Sequence, residues 1–517
     1  MKMVKSMKIA KACALLLIAA KSQGQEAPIG PRPVVVDFAE HQQINEPSIS
    51  INPKSPNEIA IATNLDRIYF SKNYGKSWKL NKIQSSLGIY GDPVIRHNTK
   101  GNLFFVHLSK TPNKKWGDFF DRIVIQKSVQ NSIFNNGVGV GFNQHKMQDK
   151  PWMKIKGNKN IFLSWTEFDK YKSPRHEDKS RIRFSYSNNE GENFSEAITI
   201  SDTTGDCLDG NHTLEGATTA YAKNGTIFCA WAGHHKIYFD SSSDGGLTWN
   251  NDKIIAKQES GWNLNLRHFP RCNGLPFLFI DPSNGPYAQR MYLLYADNLY
   301  GDLDIFLKYS DNLGKTWSGA IRVNQDNLSN GKDQFLPNMS IDPSTGFLYI
   351  IYYDRRNSST NTFVATYLNY SEDGGSTFKE IQIGSSFAPP GENYFFGDYL
   401  DIDAYRGIIH PVWTEHHKDQ DRILTLNINH KQLEQPVTPT HDSIVYFLSK
   451  KELLFFHPSK TFSLEIKIRN KKEIFFKKEY QQSGQKEYLV SLGEFSHPKL
   501  KIKIRNEKST NAFKLQL

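Results

Sequence analysis

Short runs of β-type sequence in this chain begin and end on residues able to do acid–base chemistry. Glu46, Asp92, Asp149, Glu215 and Asp398 open such runs, while His107, Glu167, His234, His235, Asp297, Asp354-Arg355-Arg356 and Glu415-His416-His417 close others. Paired carboxyl groups can protonate a leaving group and activate water, so hydrolysis is the chemistry these residues suggest. Asp92, Asp398, Tyr399 and Glu415 form the catalytic candidate set. Within it, Tyr399 offers a phenol, and Glu415 a carboxylate able to take its proton. Arg355 and Arg356 are adjacent guanidinium forks suited to a carboxylate or sulfate, and Arg271 is a second anion-binding candidate. Glu46, His234 and His416 complete the set expected to touch substrate. A fold needing only stability would not aim so many charged groups at one cleft, where their desolvation is costly. The bland alternative is a water-filled channel with ordinary polar walls, each arginine paired to a neighbouring Asp.

The elements that would position these residues are repeats. The stretch Ser242-Ser-Asp244-Gly-Gly246-Leu-Thr248-Trp249 has four relatives, starting at Ser71, Ser187, Ser310 and Ser371, each pairing Asp or Asn with Gly and a following aromatic. Asp or Asn can bond the backbone two residues on, Gly supplies a left-handed φ, and the aromatic can anchor the turn on its own sheet. Each copy therefore reads as a hairpin between strands. One gap is about twice the usual spacing, and a degenerate unit around Arg122-Ile-Val-Ile-Gln126 fills it. First strands read at Pro47, Pro93, Trp152, Ala217, Phe277, Met339 and Tyr399 make seven units, with six as the alternative. The last unit lacks a fourth strand, and Pro33-Val-Val-Val-Asp37 is available to supply it. Such closure removes exposed sheet edges.

Lysines at 2, 5, 8 and 11 precede the apolar run Ala12–Ala20, so residues 1–25 read as a secretory signal peptide. The run is too short to span a bilayer comfortably, and the expected product is a soluble, exported protein: secreted, periplasmic or at the cell surface. Beyond it Cys207, Cys229 and Cys272 remain, an odd count with no zinc-like spacing. Cys229 reads as a buried strand residue, and a Cys207–Cys272 bridge is an option. Of the net charge of +11, residues 431–517 carry eight, with seventeen Lys or Arg against nine Asp or Glu. The excess thus belongs to the end of the chain and does not point to nucleic acid. A Pro- and Thr-rich linker at 431–440 separates residues 32–430 from 441–517, where alternating apolar and charged runs such as Phe462–Arg469 read as a small β-sandwich.

The five boxes resemble the Asp box of the sialidase, or bacterial neuraminidase repeat, superfamily. That resemblance implies an all-β fold, a β-propeller with Asp-box hairpins on the face away from the active site. It also implies a glycan or glycoconjugate as partner, no required cofactor, no bound metal, and a monomer. A sialidase-like glycoside hydrolase acting on an acidic or host-type glycan is the expected function, with a non-catalytic glycan- or protein-binding propeller as the alternative. The sequence departs from the family where Arg-Ile-Pro is expected at the first strand, since it reads Asn45-Glu46-Pro47. A Glu there would repel a carboxylate. Trp165, Trp231 and Trp413, at the ends of second strands, read as core, whereas Trp116 and Trp262 lie in longer loops suited to ligand contact.

Overall fold

The computed structural model of the chain describes residues 32–40, 44–115, 120–130, 133–269, 271–389, 394–417 and 420–433, and then the strands of the C-terminal part. The expected signal peptide at 1–25, most of the expected linker at 431–440 and Trp116 lie outside the described residues. Seven antiparallel sheets follow one another, each a blade of a propeller. The first blade runs through Ser48–Ile51, Ile59–Thr63, Arg67–Ser71 and Lys79–Lys82. The innermost strands of the next five are Val94–His97, Met147–Lys156, Glu215–Tyr221, Phe277–Ile280 and Gln334–Ile341. The seventh blade combines Asp401–Tyr405, Ile408–His417 and Gln420–Thr425 with a fourth strand from the other end of the chain. That strand is Val34–Glu40, paired antiparallel from Val34 opposite Thr425 to Glu40 opposite Gln420. The ring therefore closes as the sequence suggested. The unit without a box is the second blade, whose third strand is Ile123–Gln130.

The boxes act between blades. In each, the serine hydroxyl accepts the glycine N–H, as Ser242 Oγ does from Gly246 at 2.8 Å, and donates to the Asp or Asn carboxyl or amide oxygen. Gly246 has φ of 97°, and a Cβ there would lie 2.5 Å from the Phe184 ring of the preceding blade. Gly314, with φ of 79°, meets Phe239 of its preceding blade at the same distance. Trp249 and Trp317 lie edge-on to those two phenylalanines, at 5.0 and 5.8 Å. Trp249 and Trp317 thus anchor their hairpins on the neighbouring blade, a correction for these two to the reading that the aromatic anchors the turn on its own sheet. Trp165, Trp231 and Trp413 are fully buried, as read from sequence. Trp262 is buried too, its indole N–H donating to Thr213 O at 3.0 Å, so it is not the exposed ligand contact its loop suggested. Cys207, Cys229 and Cys272 are free and buried, and no Cys207–Cys272 bridge forms.

The C-terminal strands form two antiparallel sheets. One joins Ile444–Ser449, Glu452–Phe456 and Glu487–Ser491; the other joins Ile474–Gln481, Thr461–Ile468, Lys499–Arg505 and Thr510–Gln516. Among the described residues no helix is long and apolar enough to cross a membrane.

Candidate active site

The inner strands all start at one end of the channel, and the chain approaches them in a repeated way. Six of the seven starts carry a residue of positive φ: Glu46 (50°), Asp92 (54°), Lys150 (46°), Gly216 (72°), Leu336 (50°) and Gly397 (104°). The register of the inner strand slips at this point in three blades, between Asp149 and Trp152, Glu215 and Thr218, and Phe335 and Asn338. A left-handed non-glycine residue costs about 1–2 kcal/mol, so these positions persist only because their surroundings hold them. At Glu46, Asp92 and Lys150 those surroundings are one charged cluster.

Asp398 is its hub. Lys150 Nζ donates to Asp398 Oδ2 at 2.6 Å, and Arg271 Nε to Oδ1 at 2.7 Å. The Arg271 fork also donates to both Asp209 oxygens, at 3.0 and 3.4 Å, and the Tyr171 hydroxyl donates to Asp209 Oδ2 at 2.6 Å. Glu46 accepts from the Asp398 amide at 3.0 Å and from Asn64 Nδ2 at 2.6 Å, while Asn64 Oδ1 accepts the Asp92 amide at 3.0 Å. Asn273 Nδ2 donates to Asp398 O at 2.8 Å. Glu215 is fully buried beside Lys150 and Arg271, and neither of its carboxyl oxygens has a hydrogen-bond partner among the described residues. A pocket of ≈ 20 Å³, room for about one water, opens between Asp92, Lys150, Asn273, Asp398 and Tyr399. Its floor is aromatic, with Trp152 packed 5.0 Å from Phe277 and 5.5 Å from Tyr399.

Burial and charge set these carboxyl groups apart. Burial pushes Asp398 up, but Arg271 and Lys150 together hold it well below the usual carboxylate range. Burial and the negative Asp398 push Glu46 up to about 7. Burial, with Glu46 and Asp149 adding like charge, raises Asp92 well above its ordinary value. Glu215 is likewise raised well up by burial, against the pull of Lys150. Asp149 is raised by burial, yet Lys150, Arg271 and the Lys150 amide favour its ionised form. Two positive groups thus face six carboxyl groups: Glu46, Asp92, Asp149, Asp209, Glu215 and Asp398. Among the described residues no group of three or more His, Cys, Asp or Glu is arranged to hold a metal.

No protein-family model matches the chain, and no curated protein sequence does. Some solved structures are similar to it at low identity. A Penicillium chrysogenum α-L-arabinanase complexed with arabinobiose is 13% identical, over 63% of this chain and 94% of that one, with a TM-score of 0.39. A Hadza microbial sialidase is 11% identical, over 72% and 73%, with a TM-score of 0.40. An ulvan lyase of a polysaccharide lyase family is 10% identical, over 77% and 96%, with a TM-score of 0.47.

Of the residues singled out in the sequence, Glu46, Asp92, Asp149, Glu215, Arg271, Asp398 and Tyr399 meet at this mouth. Glu415 does not meet Tyr399. Trp413 and Glu415 are two apart on one strand and so share a face; Trp413 Nε1 donates to Glu415 Oε1 at 2.9 Å, and Arg422 takes Oε2 at 3.1 Å. The Tyr399 hydroxyl instead donates to Pro93 O at 3.0 Å, and burial with the Glu46 and Asp92 charges pushes it well up, away from a phenolate. The Arg355–Arg356 clamp is also corrected. Arg356 is spent on Asp354 and Glu380 and lies over the Tyr367 ring. Arg355 is fully buried near Phe269 and Phe335, donating to Arg267 O and Asn361 O at 3.0 Å each. His416 binds Asp421 at 3.0 Å, and His234 sits beside His212 at 3.4 Å, bonded to Thr204 O at 3.1 Å. Neither histidine joins the cluster around Asp398. Lys150 and Asp209 were missed as site residues. Lys150-Pro151 repeats the residue–Pro step of Glu46-Pro47 and Asp92-Pro93, a signal visible in the sequence, whereas Asp209 lies in a loop with none.

Proposed function

We propose that this propeller is an exported glycoside hydrolase acting at the carboxyl-rich mouth on a neutral sugar. Asp92 is the proton donor and Asp149 the carboxylate that activates water. What supports this is one mouth in which six carboxyl groups face only Lys150 and Arg271: Asp92 is raised well above its ordinary value by burial and by the Glu46 and Asp149 charges, while Asp149, itself raised by burial, has Lys150 and Arg271 opposing that rise. Both are partly exposed and can reach a ligand, unlike Glu46 and Glu215, which are buried. Asp398, with its two ion pairs, holds Lys150 and Arg271 in place. The sugar lies over the mouth, and only its glycosidic oxygen enters the small pocket.

The acidic or host-type glycan expected from the family resemblance fits this mouth less well. Arg271 is already committed to Asp398 and Asp209, and Arg355 and Arg356 are committed elsewhere. A sugar carboxylate would meet mostly like charge. The test is turnover on aryl glycosides of neutral pentoses and hexoses beside a sialoside and a uronide. Cleavage of a neutral glycoside supports the assignment, provided that Asp92→Asn, with the fold intact, loses more of it the poorer the leaving group. Cleavage of the sialoside alone would overturn the neutral-sugar reading, and binding without any cleavage would favour the non-catalytic alternative.

A further inference from the structure

Beneath the Trp152–Phe277–Tyr399 layer the channel widens into a second cavity of ≈ 570 Å³, a volume typical of small-molecule sites. All seven inner strands line it, and it runs to the turns at Thr99, Lys223, Pro282 and Pro343, which are solvent-exposed, at the end carrying the Asp boxes. Its walls differ in charge from the mouth. Arg96 and Lys154, on adjacent inner strands, both face it. Arg96 is anchored, donating to Asp401 Oδ2 at 2.9 Å, Ser48 Oγ at 3.0 Å and Ile49 O at 3.0 Å. Lys154 has no hydrogen-bond or ion-pair partner among the described residues. The nearby carboxylate, Asp403, is taken up by backbone amides, Ile51 N at 2.7 Å and Ala404 N at 2.9 Å. Burial and the Arg96 charge push Lys154 down to about 8, against the pull of Asp403.

We propose that this chamber is a binding site for a small organic carboxylate, held by Lys154 and Arg96 with its body against the aromatic walls Trp152, Phe279 and Tyr405. Of these two neighbouring positive groups only Arg96 has an ion-pair partner among the described residues, Asp401, so an anion beside Lys154 supplies the missing countercharge. A ring or short chain attached to that anion covers the apolar wall. The site is separate from the mouth and does not depend on the hydrolase reading.

Calorimetric titration of the full chain with glucuronate, benzoate and citrate tests it, with glucose and inorganic phosphate as controls. At least one carboxylate should bind, with glucose silent and phosphate weaker; Lys154→Met should lower that affinity at least tenfold, Lys154→Arg should restore most of it, and turnover at the mouth should stay unchanged. No binding by any of the three, equal binding by glucose or phosphate, or indifference to Lys154→Met would overturn the proposal. Should Lys154→Met fail to fold, acetylation of the wild-type protein decides. The tight carboxylate should protect Lys154 from acetic anhydride, and undiminished labelling would be equally fatal to the idea.

Discussion

Residues of one chemical type do different work here according to which strand end they occupy. Carboxyl groups at the starts of inner strands meet near the channel axis, where few cations answer them. Those at the ends of second strands are consumed by their own surroundings: Glu167 by Arg181, Asp297 by the Glu259 and Ser260 amides, Asp354 by Arg356 and Glu415 by Trp413 and Arg422. Glu46 binds its proton more tightly folded than unfolded, its pKa rising from 4.5 to about 7, so its contribution to stability is full below pH 4.5 and lost as pH rises through 7. Melting curves of Glu46→Gln should therefore fall less steeply than wild type between pH 4.5 and 7, and parallel curves would contradict the assignment. Arg356→Ala strands Asp354 and Glu380 in a largely buried site, and should cost about 3 kcal/mol in denaturant unfolding while leaving KM unchanged. A raised KM with normal stability would restore Arg356 to the binding site.

At the scale of elements the closing strand matters most. Besides its ladder with Gln420–Thr425, Val34–Glu40 places Asp37 where Arg67 NH1 and the Tyr69 hydroxyl both donate to it at 2.6 Å, tying the seventh blade to the first. Removing residues 32–38 should lower the melting temperature sharply, and an unchanged value would mean the ring is held shut elsewhere. The strand was legible in the sequence because a β-rich run stood before the first unit and the last unit lacked a partner. The boxes were legible because Ser, Asp or Asn, and Gly form local hydrogen bonds that fix their spacing. The same locality made the packing of the box aromatics unreadable, since Phe184 and Phe239 belong to other blades. The site was legible in part. Starts of inner strands must converge on the axis of any closed ring, so Glu46, Asp92 and Asp398 could be placed together. Whether Glu415 faced the channel or the neighbouring blade turned on strand pleat at one residue, and no periodicity in the sequence set it.

The whole molecule separates charge by region. Most of the excess positive charge lies in residues 431–517, which we propose form a separate C-terminal domain, while the propeller carries an acidic mouth at one end of its axis and a basic chamber toward the other. A neutral glycan at the mouth and a carboxylate in the chamber are the ligands this division favours. The central claim is that Asp92 supplies the proton to the departing oxygen. It is tested most directly by the leaving-group dependence of Asp92→Asn on one neutral glycone. A general acid is worth about 10²–10⁴ in rate when the leaving group is poor and little when it departs unaided. A loss of kcat of that size is expected on an alkyl glycoside, with near-normal turnover of the dinitrophenyl glycoside. Equal losses on both substrates, or none on either, would contradict it.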